Sequence, residues 1–147
     1  MSEAEERDRI DRIAREWCGT PYHNNAQVKG AGADCATLLK AVFEESGLIE
    51  PFELGWYPSQ FFLHHSEERY LGWVQKFAHE IPEERAKHGD VVLYHIGKCY
   101  AHGAIVIKPD WPAIVHAHYA TRFVVQGRGT SVHLGLPIKG IKFFSLW

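Results

Sequence analysis

The chain has 147 residues, close to the size of one ordinary domain, and 46% of them are hydrophobic and 13% aromatic. That is enough apolar material for a buried core and too much for a disordered chain. The formal net charge is −2 and the Lys and Arg residues are scattered, so there is no basic stripe of the kind that binds nucleic acid.

The first element reads as a helix. Ser2 and Glu5 match the S-x-x-E capping box, and Ile10, Ile13, Ala14 and Trp17 follow at helical spacing as one apolar stripe. Gly19, Thr20 and Pro21 stop it, and a loop rich in Gly and Asn runs from Tyr22 to Ala33. Asp34 is a good N-cap for a second helix that starts at Cys35. Leu38, Leu39, Val42 and Phe43 form its buried face, and Gly47 its stop. Residues 51–80 read as a loop followed by one or two helices. From Gly89 the texture changes to short β-rich runs, "DVVLYHI", "HGAIVI", "AIVHAH", "RFVVQ" and "IKFFSLW", separated by turn residues. The connections are too short for crossover helices, which predicts about five strands, mostly antiparallel. Helices first and a sheet afterwards predict a single α+β domain over residues 1–147.

The N-terminus is charged from the third residue, and no apolar run approaches the ~18–20 residues of a membrane span. The expectation is a chain made in the cytoplasm without a signal peptide and with no membrane partner. The three cysteines, Cys18, Cys35 and Cys99, are odd in number and form no CxxC, so reduced thiols are expected rather than a disulfide framework. Cys18, beside Trp17, reads as packing, and Cys99 as part of an exposed turn, "GKCY".

Cys35 is the thiol placed for chemistry. A helix N-terminus offers unpaired N–H groups and about half a positive charge, which favour thiolate over thiol and can lower a cysteine pKa from ~8.5 to below 7. Asp34 opposes this if its carboxylate lies near the sulfur. Cys35 also lies in line with Leu38 and Leu39, so the helix alone leaves core packing open. A nucleophilic cysteine needs a base, and the base an orienter. His102 opens the strand "HGAIVI", and the turn "KPDWPA" brings back "AIVHAH", where His116 and His118 share a face by the period of two. A turn centred on Pro109 would set residue 102 opposite 116, and one centred on Asp110 would set it opposite 118. A thiolate–imidazolium pair is expected, with the Cys35 pKa lowered and that of His102 raised. His64 and His118 are weak candidates for substrate binding. No metal or cofactor is expected.

Taken together, "GTPYHNNAQVKGAGADCATLL", "GDVVLY", "AHGAIVI" and "IVHAH" resemble the NlpC-type cell-wall peptidases, which are papain-like cysteine peptidases. The likeness runs from about Trp17 to the last strand, with a variable middle at 51–80, and is greatest to stand-alone members encoded in phage-tail and gene-transfer-agent clusters. The resemblance implies a papain-like fold with N-terminal helices packed on the sheet. It implies Cys35 as nucleophile, His102 as base, His116 as the third residue and Tyr22 as an oxyanion donor. It also implies peptidoglycan stem peptides as substrates, typically cleaved at the γ-D-glutamyl–diaminopimelate bond, with phage-like tail proteins as partners and carriage on a phage-like particle. Two departures stand out: Ala36-Thr37 where many members have Ser-Gly, and Asn24-Asn25 where Gly-Gly is usual. A non-catalytic binding or structural module of a tail tip, or another thiol amidase or acyltransferase, is the alternative.

Overall fold

A computed structural model describes residues 1–59 and 61–147, apart from the side chains of Phe62 and Leu63. Helix α1 (Glu3–Glu16) carries the Ser2–Glu5 capping box complete. The loop after it folds back as a two-residue ribbon, β1 (Gln27–Val28) against β2 (Gly32–Ala33), which delivers the chain to α2 (Cys35–Ser46). Gly47 ends α2 at φ +83°, a conformation that favours glycine. Short helices α3 (Phe61–His64) and α4 (Arg69–Gln75) follow. Six strands then form one sheet: β3 (His79–Ile81), β4 (Val91–Ile96), β5 (Cys99–Val106), β6 (Ala113–His118), β7 (Phe123–Arg128) and β8 (Gly140–Ser145). Their order is β3-β8-β4-β5-β6-β7, and all neighbours are antiparallel.

Helices α1 and α2 cover one face. Ile10, Ile13, Leu38 and Val42 pack there on Leu93, Ile105 and Val115. Full burial of a side chain of this size contributes roughly 1.5–3 kcal/mol. The alternate positions Val92, Tyr94, Ala104 and Ile114 face the other way and form a smaller cluster with Phe143, closed by Trp111 and Leu134. Cover on both faces explains why "DVVLYHI" is a continuous apolar run rather than an alternating one. Arg7 ties α1 to the sheet: Nη1 donates to Asp90 Oδ1 at 2.9 Å and Nη2 to Ser145 Oγ at 3.3 Å.

Three expectations need correction. The main sheet has six strands rather than about five, because β3 is a three-residue, largely exposed edge whose structure comes from pairing with β8. Cys99 is not in an exposed turn: it is the first residue of β5 and is buried. His102 does not open its strand, since β5 starts three residues earlier. Between these two residues lies a β-bulge. Tyr94 pairs with His102 and His95 with Tyr100, so Ala101 is an extra residue without a partner on β4.

Candidate active site

The start of α2 is fixed by a fully occupied carboxylate. Asp34 Oδ1 accepts the backbone N–H groups of Ala36 and Thr37, each at 2.9 Å. Its Oδ2 accepts Asn25 N–H at 2.7 Å and the Tyr57 hydroxyl at 2.6 Å. Thr37 Oγ1 in turn accepts Asp34 N–H at 2.8 Å, which completes a capping box. Asp34 is 1% exposed, and with two donors on each oxygen its burial is satisfied. The two departures from the usual motif both serve this network. Thr37 closes the box, and the Asn24 and Asn25 side-chain amides donate to the Tyr57 carbonyl at 3.1 and 2.9 Å. The middle segment is thereby tied to the helix start.

Cys35 follows the cap and is partly exposed. Its S–H is directed at the Ala101 carbonyl, 3.5 Å away, the carbonyl of the bulge residue. Its own carbonyl accepts the Tyr70 hydroxyl at 2.7 Å. Burial pushes the thiol up to about 12, and the Asp34 carboxylate adds to the rise. The N–H groups of Gly103, Cys35 and Ala36 pull the other way and are outweighed. The expectation of a lowered pKa is therefore overturned: desolvation costs the thiolate more than the helix start returns.

His102 is 6% exposed and His116 is 3% exposed. His102 Nε2 lies 2.8 Å from His116 Nδ1. The expected rise in the His102 pKa is also overturned. Burial holds His102 well below the ordinary histidine range, and His116 and His118 add to the depression. His116 is brought down to about 4, by burial first and then by His118. Burial thus favours the neutral thiol and the neutral imidazoles in the resting cleft. When His102 donates its Nε2–H to His116, its Nδ1 keeps a lone pair and can accept a proton. His118 stacks on His116, with ring centroids 4.8 Å apart, and donates Nε2–H to the His133 carbonyl at 2.6 Å.

One cleft collects Tyr22, Cys35, His102 and His118, with His116 behind His102. Tyr22 is half-buried, with its ring edge-on to Tyr119 at 5.4 Å. Burial, then Cys35 and Asp34, push its phenol upward, so it remains a donor. No protein group among the described residues accepts its hydroxyl. His64 is exposed at the end of α3 and does not line the cleft.

Sequence reasoning missed Tyr57 and Tyr70. The aromatic density of residues 51–80 was the available signal, but nothing local says that one phenol caps a carboxylate and the other holds the Cys35 carbonyl. Gly103 was missed as well. A Cβ there would overlap the Tyr70 hydroxyl, so the glycine makes room for that contact. Among the described residues no group of three His, Cys, Asp or Glu side chains is placed to hold a metal ion.

The fold is similar to that of known domains. The NlpC/p60 domain of the peptidoglycan hydrolase SagA superposes with a TM-score of 0.60 at 18% identity, over 84% of this chain and 90% of that one. NlpC2 from Trichomonas vaginalis gives 0.66 at 14% identity, over 96% of this chain and 47% of that one. RipD from Mycobacterium tuberculosis, a non-catalytic NlpC/p60 domain protein adapted to peptidoglycan binding, gives 0.59 at 12% identity, over 97% and 98%. No protein-family model matches the chain, and no curated protein sequence matches it. At these identities the likeness defines the fold. The chain has the NlpC/p60 fold, the same fold as the cell-wall peptidases that its motifs resemble.

Proposed function

We propose that the chain is a cysteine peptidase that hydrolyses peptidoglycan stem peptides, with the γ-D-glutamyl–diaminopimelate bond as its target. The observation that carries this reading is the His102–His116 bond in the cleft that holds a cysteine at a helix start. On binding substrate, the thiol turns from the Ala101 carbonyl toward the scissile carbonyl. Sγ attacks the carbonyl carbon while the thiol proton passes to His102 Nδ1. His116 accepts the Nε2–H of His102 and supports the imidazolium that forms. The Tyr22 hydroxyl and the Cys35 N–H donate to the oxyanion. Collapse breaks the C–N bond, and His102 gives its proton to the leaving amine. Water then attacks the thioester as His102 takes its proton, and the acid leaves as the thiol is restored. Loss of the thiol proton is coupled to attack, which suits a resting thiol whose pKa is raised.

A second reading is a peptidoglycan-binding domain without catalysis, as RipD is described. The S–H bond to Ala101, in place of one to an imidazole, favours it. Purified muropeptides incubated with the wild type and with Cys35→Ala, and weighed by mass spectrometry, separate the two. Cleavage by the wild type alone supports the peptidase. Binding by both without cleavage supports the second reading.

A further inference from the structure

The wall of the cleft formed by α3 and α4 carries a cation with no anion assigned to it. Arg69, the first residue of α4, lines the cleft together with Cys35. Its guanidinium sits 5.3 Å from the Phe61 ring centroid and 5.6 Å from that of Trp73. Contact with aromatic rings restrains a guanidinium and leaves its in-plane N–H groups free to form a fork. Among the described residues no carboxylate lies within ion-pair distance of it, whereas Arg7 and Arg15 each bond an aspartate. Its neighbour Glu68 is turned elsewhere, accepting Tyr100 N–H at 2.8 Å. Among the described residues the one carboxylate that lines the cleft is Asp34, and its acceptor positions are filled by Ala36, Thr37, Asn25 and Tyr57. The described residues of the cleft therefore offer a substrate a half-buried, aromatic-held cation and no free anion. Arg69 is also tied to the reaction centre through its neighbour, because Tyr70 bonds the Cys35 carbonyl.

We infer that Arg69 binds a carboxylate of the substrate and makes the cleft selective for an anionic peptide over its amidated form. This deepens the proposed function and rests on it for the class of peptide. A planar fork on a carboxylate in a partly dry cleft contributes about 10–100-fold in discrimination.

The test uses a stem tripeptide and versions of it amidated at one carboxylate at a time. The ratio of kcat/KM between free and amidated forms is measured for the wild type, Arg69→Gln and Arg69→Lys. Kd values for the same peptides are measured by calorimetry with Cys35→Ala and with Cys35→Ala/Arg69→Gln. At one carboxylate the wild type should favour the free form by at least tenfold, and Arg69→Gln should bring that ratio to within about threefold of one. Arg69→Lys should retain part of the preference, and thermal unfolding of each variant checks the fold. A wild type indifferent to amidation at every position, or an unchanged ratio in Arg69→Gln, overturns the inference while leaving the peptidase reading intact. Carboxylate-selective binding without hydrolysis overturns the peptidase reading and upholds the role of Arg69. Peptides neither bound nor cleaved overturn both.

Discussion

His102 bonds His116 across a diagonal of the hairpin, with Nε2 and Nδ1 2.8 Å apart. The strand register is Ile105 opposite Val115 and Val106 opposite Ile114, which centres the turn on Asp110, where φ is +94°. Continued three residues along, that register pairs residue 102 with 118, not 116. Regular pairing between these strands ends at Ile105–Val115, and the imidazoles meet beyond it. Diagonal neighbours on one face lie within reach of ring side chains. The His118 ring instead stacks on His116, and its Nε2–H goes to His133.

The two histidines should therefore separate in kinetics. His116→Ala is expected to lower kcat on a stem peptide by at least a hundredfold, because His102 loses the acceptor that sets its tautomer. His118→Ala should stay within about tenfold of wild type, a barrier change of ~1.4 kcal/mol. A paired assay in which His118→Ala is the weaker enzyme would reverse the assignment.

Cys35→Ala should abolish hydrolysis and leave the fold standing. The exchange removes one partly exposed sulfur and a long S–H bond, a loss of ~1–2 kcal/mol at most. Denaturant unfolding together with a product assay checks both halves. Normal turnover by this variant would remove Cys35 from the mechanism.

The resting thiol should alkylate slowly. With its pKa pushed up to about 12, Cys35 should react with iodoacetamide at pH 7 more slowly than a free cysteine, and its rate should still climb above pH 9. Stability follows the same group. The folded state resists deprotonation, so this contribution is present below the unfolded pKa of ~8.5 and is lost as pH rises toward 12. An alkylation plateau below pH 8 would restore the thiolate.

Acid should act through the buried His102–His116 pair, and the share of His116 can be isolated. The His116 pKa falls from 6.5 to about 4 on folding, so below pH 6.5 the unfolded chain binds the proton that the native state refuses. Stability is fully present above pH 6.5 and declines as pH falls toward 4, by about 3 kcal/mol for this group. His116→Gln should flatten that part of the profile. The difference between the wild-type and variant urea curves at pH 7, 5.5 and 4 isolates it from the carboxylates.

Gly103→Ala should destabilise by ~1–3 kcal/mol, since the added methyl must displace the Tyr70 hydroxyl and ring. In a Tyr70→Ala background the same change should cost much less, a coupling of at least ~1 kcal/mol in a double-mutant cycle. Additive losses would mean that the overlap is relieved elsewhere.

The parts of this protein that were legible in its sequence are those set by local rules. Ser2, Asp34 and Gly47 mark helix ends because capping needs particular short side chains or a positive φ, and both helices start where those residues say. The strands from Val91 onward announced themselves by composition. The edge strand at His79–Ile81 did not, because its structure is supplied by residues more than sixty positions away. The same distinction runs through the site. Tyr22, Cys35, His102 and His118 line one cleft with His116 behind His102, whereas their protonation depends on burial that no short stretch encodes. Tyr57 and Tyr70 act on Asp34 and Cys35 from a segment whose pattern gave only aromatic density.

The extra residue at Ala101 makes the direction of the His102 side chain a matter of counting along a strand. Side chains alternate with every residue, so an in-frame deletion of this one alanine would restore an unbroken ladder with β4 and rotate the strand ahead of His102 by half a period. Either Cys99 and Tyr100 would exchange faces, or His102 would leave the face of Tyr94 and lose His116. In the second case the loss of one alanine silences the centre while Cys35, His102 and His116 are all retained.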